Sequence, residues 1–127
     1  MILQDVFFRI LDRALAFQRN NGALPGGHNG PYQDPETPVR VTAHYLLAFH
    51  RAAVLTGENR YMQAAQRCLR YLLETEELGS HNYHQRNKPG KDHCNGLVGP
   101  AWAIEALLAG ARAFERNEAT TLARRIF

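Results

Sequence analysis

Residues 37–57 read TPVRVTAHYLLAFHRAAVLTG, and this stretch decides the fold class. Thr37 and Pro38 begin it with a hydroxyl residue suited to helix capping and a proline suited to the first helical turn. Gly57 ends it, and the apolar residues between lie on nearly every face of a helix. Because a helix that is apolar nearly all round packs among other helices, the stretch predicts an inner helix over residues 38–55 of an all-α fold.

Four other segments carry the same helical period. Residues 2–19 and 59–78 each have one apolar stripe, which is typical of a helix with one buried face. Residues 100–115 are again apolar nearly all round, and residues 118–127 begin a fifth helix. No strand-like alternation occurs anywhere in the sequence. The predicted architecture is therefore a series of antiparallel helical hairpins.

The connections between these helices alternate between long and short. Long loops cover residues 22–37 and 80–98, and short turns lie near Gly57 and Asn117. A shift of 61 residues also aligns the second helix with the fourth. Since alternate connections of an up-and-down helical array lie at the same end, both long loops are predicted at one end. This layout predicts a single partial α/α-toroid domain over residues 1–127, with the second and fourth helices inside.

The bulk composition narrows the classes of function. The chain has 127 residues, of which 45% are apolar, and a formal net charge of +3, as expected for one globular domain. Its basic residues are scattered, without the stripe of a nucleic-acid binder, so no nucleic-acid partner is expected. There is no signal peptide and no apolar run of about 20 residues, which predicts no membrane partner and a cytoplasmic location.

The two cysteines and the end of the array bear on cofactors and partners. Two cysteines make no disulfide framework, and Cys68 lies on an apolar stripe where a buried free thiol is expected. Residues 123–127 lack the polar face of a capping repeat. We therefore expect missing C-terminal repeats or another chain to cover the open edge.

Residues able to carry out acid–base chemistry concentrate in the long loops and at the helix starts beside them. Asp92 lies in the densest polar cluster, and Glu105 follows in the fourth helix. His44 lies about two turns into the second helix, and imidazole titrates near neutral pH. Because glycosidic cleavage needs paired carboxylates, Asp92, Glu105 and His44 are the candidate catalytic residues. The alternatives are loop hydrogen bonding for Asp92, and for Glu105 a buried pairing with Arg40 or His44.

Other polar and aromatic residues at the same end are candidates for binding a sugar or another small-molecule substrate, since aromatic rings pack on sugar rings and polar groups orient them. They are His28, Tyr32, Arg40, Tyr83, His84, Arg86 and Trp102. A core position is the alternative for Trp102. His93 and Cys94 are the candidate zinc ligands, but adjacent ligands alone do not form a tetrahedral site. No cofactor is therefore expected, with zinc as the alternative.

Two resemblances bear on function. Residues 96–108, GLVGPAWAIEALL, resemble the inner-helix starts of the six-hairpin glycosidase superfamily. This resemblance implies an α/α toroid that acts on carbohydrates as a glycoside hydrolase, lyase or epimerase-like enzyme, with its site in the two long loops. Residues 94–99, CNGLVG, are similar to the repeats of lanthionine synthetase C-like proteins, in which a cysteine and a histidine hold zinc. Asn95 stands in place of that histidine, so a zinc-binding module and a non-catalytic helical scaffold stay open as alternatives.

Overall fold

A computed structural model describes residues 2–25, 28–29, 34–35, 38–75 and 98–127, and these residues form a helical fold. The helices are α1 (Leu3–Phe17), α2 (Pro38–Thr56), α3 (Asn59–Glu74), α4 (Val98–Phe114) and α5 (Asn117–Ile126). Each of them corresponds to one helix predicted from the sequence. The all-α prediction is confirmed.

Two helix ends were predicted wrongly. α1 ends at Phe17 rather than at residue 19, because Gln18 has an extended backbone with φ −64° and ψ 123° and directs its side chain towards α3. α3 ends at Glu74 rather than at residue 78, because Thr75 is also extended and its N–H donates to the Tyr71 carbonyl. Both helices are therefore shorter than their apolar patterns indicated.

The start of α4 also differs from the prediction. α4 begins at Val98, whereas residue 100 was the predicted start. Pro100 fits inside the first turn because the amide groups of that turn have no carbonyl acceptor within the helix. α5 begins at Asn117, beside the predicted residue 118.

The helices form two antiparallel hairpins. α2 packs against α3 across the turn at Gly57 and Glu58, and α4 packs against α5 across Glu115 and Arg116. Gly57, with φ 72°, and Glu115, with φ 54°, both adopt the left-handed backbone conformation that reverses the chain.

The two hairpins lie side by side with α2 parallel to α4. His44 contacts Trp102 near the start of both helices, and His50 contacts Phe114 further along both. Since the contacts advance in the same direction on each helix, the starts of α2 and α4 are neighbours. The two long loops therefore enter the helical array at the same end.

α1 lies against α3 and runs parallel to it. Phe8 contacts Tyr61 near the start of α3, while Gln18, just after α1, reaches the Ala64 carbonyl one turn later. α1 therefore packs beside α3, and α5 packs against α4.

Small and aliphatic residues fill the core between the helices. Gly110 on α4 lies so close to Leu69 on α3 that an added Cβ would come within 2.8 Å of its Cδ1, so the absent side chain permits this approach. The largest fully buried side chains include Leu11, Val39, Leu46, Phe49, Tyr61, Leu69, Leu72 and Leu107. No helix in the described ranges has both the length and the apolar content needed to cross a bilayer.

The first long loop contains a short antiparallel pairing that the sequence did not predict. β1 (His28–Asn29) pairs with β2 (Asp34–Pro35), with His28 opposite Pro35. This two-stranded pairing lies in the loop and outside the helical core. The fold class is unchanged by it.

Large apolar side chains are exposed at both edges of the array. On α1, Leu3, Ile10 and Phe17 recur every seven residues and are 84%, 51% and 55% exposed. At the other edge, Leu108 on α4 is 37% exposed and Phe127 is fully exposed. The remaining exposed positions of α5 are polar, with Glu118, Thr121, Arg124 and Arg125 on its outer face, so the expectation that residues 123–127 lack polar exposure is wrong.

Candidate functional site

Four of the predicted site residues come together where α2 and α4 begin. Arg40 and His44 lie one turn apart on α2, and Trp102 and Glu105 lie one turn apart on α4. Residues three or four apart project from the same helix face. Trp102 contacts both side chains of α2, and Glu105 acts on His44 through its charge. We call Arg40, His44, Trp102 and Glu105 the polar cluster.

Trp102 is the shared contact of the polar cluster. The Arg40 guanidinium carbon lies 5.5 Å from the centroid of the Trp102 ring, within the range of a cation–π interaction. The His44 ring centroid lies 4.8 Å from the same indole, tilted by 59°. Trp102 is half-buried, and it is not among the buried residues of the core.

His44 combines partial exposure with a lowered pKa. Its side chain remains open to solvent, yet the pKa lies below 6.5 because partial burial disfavours the charged imidazolium. The positive charge of Arg40 lowers the pKa further, and the negative charge of Glu105 opposes this by raising it. His44 is therefore neutral at neutral pH and able to accept a proton.

Glu105 lies at the exposed surface of α4. The alternative that it is a buried residue is wrong, because its position falls on the face of α4 that carries the exposed Ala101, Leu108 and Arg112. Its charge still acts on His44 across the helix interface. A carboxylate and a neutral imidazole thus share one solvent-accessible surface.

Thr42, for which the sequence predicted no role, anchors the first long loop. Thr42 is fully buried on α2, and its Oγ1 accepts a hydrogen bond of 2.9 Å from the Leu24 N–H. Leu24 and Ala23 are buried as well, so the loop begins inside the core rather than on the surface. A hydroxyl residue within an otherwise apolar helix was the one signal for this contact.

Most predicted loop residues lie outside the described residues. His28 falls in β1, whose backbone pairs with β2, but its side chain is not among those described. The residues outside the described ranges are Tyr32, Tyr83, His84, Arg86, Asp92, His93 and Cys94. Their predicted roles stay predictions.

The described part of the chain holds no group of three histidine, cysteine or acidic side chains that could bind a metal ion. Cys68 is buried, as predicted, and its Sγ accepts a hydrogen bond of 3.3 Å from Gln18 Nε2. Burial raises the pKa of Cys68 to about 12, so the thiol stays protonated and is a poor metal ligand. The predicted zinc alternative rests on His93 and Cys94 and is untested.

Away from the polar cluster, a concave surface of about 550 Å³ lies between α3 and the end of α4. It is lined by Gln63, Gln66, Arg67, Leu69, Arg70, Glu74, Phe114 and Arg116. Its guanidinium groups already have partners: Arg67 bonds to Gln18, Arg70 to the Asn20 carbonyl, and Arg116 to Glu118. The polar cluster is the better candidate site because it also carries a neutral imidazole and leads into both long loops.

Comparison with known proteins gives one informative match. A curated protein of Haloferax volcanii named archaeal glycosylation protein Q is 45% identical to the chain over 126 residues. The match covers 98% of this chain and 34% of the relative, so the chain spans about a third of the length of the curated relative it matches. No family model matches the chain, and no solved structure matches it.

Proposed function

We propose that the chain is part of a carbohydrate-active enzyme of the glycoside hydrolase, lyase or epimerase-like kind, with its site at the starts of α2 and α4. The observation that carries this proposal is the convergence of Arg40, His44, Trp102 and Glu105 on one accessible surface. An aromatic ring beside groups that bind hydroxyls and move protons is what a sugar-transforming site requires.

Each residue of the polar cluster has a proposed task. His44 accepts a proton from the sugar, and the negative charge of Glu105 stabilises the imidazolium that this step creates. Arg40 orients the substrate by donating hydrogen bonds, and the open part of the Trp102 indole packs on the sugar ring. In a hydrolase, Asp92 supplies the second carboxylate beside Glu105.

The named relative supports a carbohydrate substrate. Archaeal glycosylation protein Q is, by its name, a protein of glycosylation, and 45% identity over nearly the whole chain favours related chemistry. The fold by itself would not decide this point, because helical scaffolds host many activities.

We also propose that the two hairpins are consecutive units of an α/α toroid of the six-hairpin glycosidase kind. Three observations support it: α2 and α4 are parallel, α1 and α3 are parallel to each other, and both long loops enter at one end. The exposed apolar side chains on α1 and at Phe127 favour further helical repeats, or another chain, packing at the two edges.

The site assignment is tested with the single tryptophan of the chain, which is Trp102 itself. A panel of mono- and oligosaccharides is titrated while the fluorescence of Trp102 is followed, and each binder is then incubated with the protein and analysed by proton NMR. We expect at least one sugar to change the fluorescence and to be converted. His44→Gln and Glu105→Gln should each lower kcat by about 100-fold or more while binding persists.

His50→Gln is the matched control for His44→Gln. His50 lies on the same helix but is half-buried against Phe114, away from the loop end, so its loss should leave kcat unchanged. Glu118→Gln on α5 serves in the same way for Glu105. Turnover that survives both cluster variants contradicts the catalytic assignment, and binding without any turnover supports the non-catalytic scaffold instead.

A further inference from the structure

Two arginines lie further along the helices than the polar cluster, Arg51 on α2 and Arg112 on α4. Arg51 follows His44 by seven residues, and Arg112 follows Glu105 by the same number. Because residues seven apart return to the same face of a helix, each arginine lies on the face that carries its partner in the polar cluster. Two helical turns place each arginine about 10 Å further along the helix axis.

Arg51 and Arg112 also lie at the same level of the two parallel helices. The two ring contacts between α2 and α4 join residues that are 58 and 64 positions apart in the sequence. The two arginines are 61 positions apart, midway between these values, so their Cα atoms face each other across the interface. Since packed helix axes are about 8–10 Å apart, two arginine side chains can reach one shared group.

The charges of this pair are not used within the part of the chain that the structure describes. Arg51 and Arg112 are exposed, and neither has a hydrogen bond or an ion pair there, whereas Arg60, Arg67 and Arg116 each bond to another side chain. The helix dipole accounts for a cation in the last turn of α4, where Arg112 lies, but not for Arg51. Since two positive charges at one level repel each other, the pair gives no stability to the fold. A negatively charged group from outside these helices would pair with both.

The surface between the polar cluster and the arginines is apolar. Ala48 lies one turn after His44 and is half-buried, and Leu108 lies one turn after Glu105 and is 37% exposed. Apolar side chains of this size can pack on the C–H face of a sugar ring without competing for its hydroxyl groups. The two helices therefore present one continuous surface that is longer than a single sugar ring.

We propose that Arg51 and Arg112 bind an anionic group, a carboxylate, sulfate or phosphate, of an oligosaccharide whose reacting unit lies at the polar cluster. This inference rests on the proposed function and deepens it, because it assigns an acidic substrate class to the same site. The anionic group belongs to a sugar unit beside the reacting one, since the arginines lie about 10 Å from His44 and Glu105. A neutral oligosaccharide leaves both guanidinium groups without a charged partner and binds more weakly.

The experiment compares acidic sugars with their neutral counterparts in titrations of the full chain. The pairs are trigalacturonic acid with its methyl ester, and lactose sulfated or phosphorylated on one hydroxyl with lactose itself; inorganic sulfate serves as the free anion. Binding is followed by the fluorescence of Trp102 and by the Nε–Hε signals of Arg51 and Arg112 in NMR, assigned from their absence in the Gln variants. We expect at least one acidic sugar to bind about tenfold more tightly than its neutral counterpart and to shift both arginine signals. The acidic sugar that binds most tightly distinguishes a carboxylate from a sulfate or a phosphate.

Substitutions separate the pair from the general charge of the protein. Arg51→Gln and Arg112→Gln should each weaken the binding of the acidic sugar by about tenfold and leave that of the neutral counterpart unchanged. The double variant should bind both alike. Arg124→Gln is the matched control, because Arg124 is exposed in the last turn of α5 as Arg112 is in the last turn of α4, and its loss should leave binding unchanged.

Three results overturn the inference. They are no acidic sugar binding more tightly than its neutral counterpart, an Arg124→Gln effect as large as that of the pair variants, or inorganic sulfate binding as tightly as the acidic sugars. The titration needs no turnover, so its outcome is separate from that of the proposed function. If an acidic sugar binds through the pair and none is converted, the proposed function fails while the anion site is retained. If a neutral sugar is converted and no acidic sugar binds better, only the acidic substrate class is lost.

Discussion

Two of the helix interfaces in this chain hold their polar groups in different ways. At the outer interface, between α3 and the segment formed by α1 and residues 18–22, polar side chains are bonded to each other and to backbone. Gln18 Nε2 lies 3.0 Å from the Ala64 carbonyl and 3.1 Å from that of Gly22, and its Oε1 accepts from Arg67. At the inner interface, between α2 and α4, the polar cluster meets through ring contacts and charges at a partly open surface.

Under the proposed function, this difference distinguishes polar side chains that stabilise the fold from polar side chains that act on a substrate. A buried polar group that is bonded stabilises the fold, and it costs free energy only when its partner is removed. Polar groups that meet around an aromatic ring at a partly open surface are often retained for chemistry. Substitutions should therefore reduce stability at the outer interface and activity at the inner one.

The largest expected effect on stability is at Gly22. This residue has φ 95°, and a Cβ added there would lie 2.0 Å from the Arg67 carbonyl oxygen, which is backbone and cannot move aside easily. Gly22→Ala should lower the free energy of unfolding by about 3 kcal/mol or more, since it combines a strained backbone with a clash. Urea unfolding followed by circular dichroism measures this loss.

Gly57→Ala is the matched control, because Gly57 also has a positive φ, of 72°, but has nothing within 4 Å of an added Cβ. It should lose about 1 kcal/mol from backbone strain alone. Equal losses at both positions would show that the close contact between Gly22 and α3 contributes nothing to the outer interface.

A smaller effect is expected at Tyr61, which joins α1 to α3. Its hydroxyl donates a hydrogen bond of 2.6 Å to Asp12, and burial raises the pKa of Tyr61 to about 12, so the hydroxyl stays protonated. Tyr61→Phe keeps the buried ring and removes this bond, which should cost about 1 kcal/mol. Tyr45→Phe, at a half-buried tyrosine whose ring contacts Phe49, should unfold like the wild type. A Tyr61→Phe protein as stable as that control would contradict the claim that hydrogen bonds at the outer interface stabilise the fold.

The smallest effect on stability is expected at His44, although its effect on activity should be large. His44→Gln should change the free energy of unfolding by less than about 0.5 kcal/mol at neutral pH, as for other exposed positions. Because the pKa of His44 is lowered in the folded state, the unfolded chain binds more protons below about pH 6.5, and wild-type stability rises with pH there. His44→Gln removes this dependence. The free energy of unfolding of the variant, relative to that of the wild type, should therefore be higher at about pH 5 than at about pH 8. Thermal unfolding of both proteins at both pH values measures this difference. A variant that is more stable relative to the wild type at the higher pH contradicts the prediction.

The sequence predicted the helices well because each has a strong local pattern. The 3.6-residue period located all five helices, and the errors fell at helix ends, as at Gln18, whose contacts with α3 are long-range. Arg40, His44, Trp102 and Glu105 were each predicted as site residues from their place near the loops. That prediction depended on the residue types and on their positions near the starts of the two helices.

The sequence could not show how these residues meet. The contacts of Gln18 with α3 span 46 to 50 residues, and no local pattern marks a glutamine as the centre of an interface. The contacts of Trp102 with Arg40 and His44 likewise depend on the parallel packing of α2 and α4. The exposure of Glu105 was missed for the same reason, since it depends on which face of α4 remains uncovered.

The burial of Cys68 turns one side chain into a chemical probe of motion. Only the thiolate form reacts with alkylating reagents, and both burial and the pKa of about 12 suppress it while α3 stays packed beside Gln18. In a Cys94→Ser background, the rate at which iodoacetamide labels Cys68 therefore measures how often the packing around α3 opens. Comparing the labelling rates with and without a bound sugar would then show whether a sugar bound at the starts of α2 and α4 makes opening around α3 less frequent.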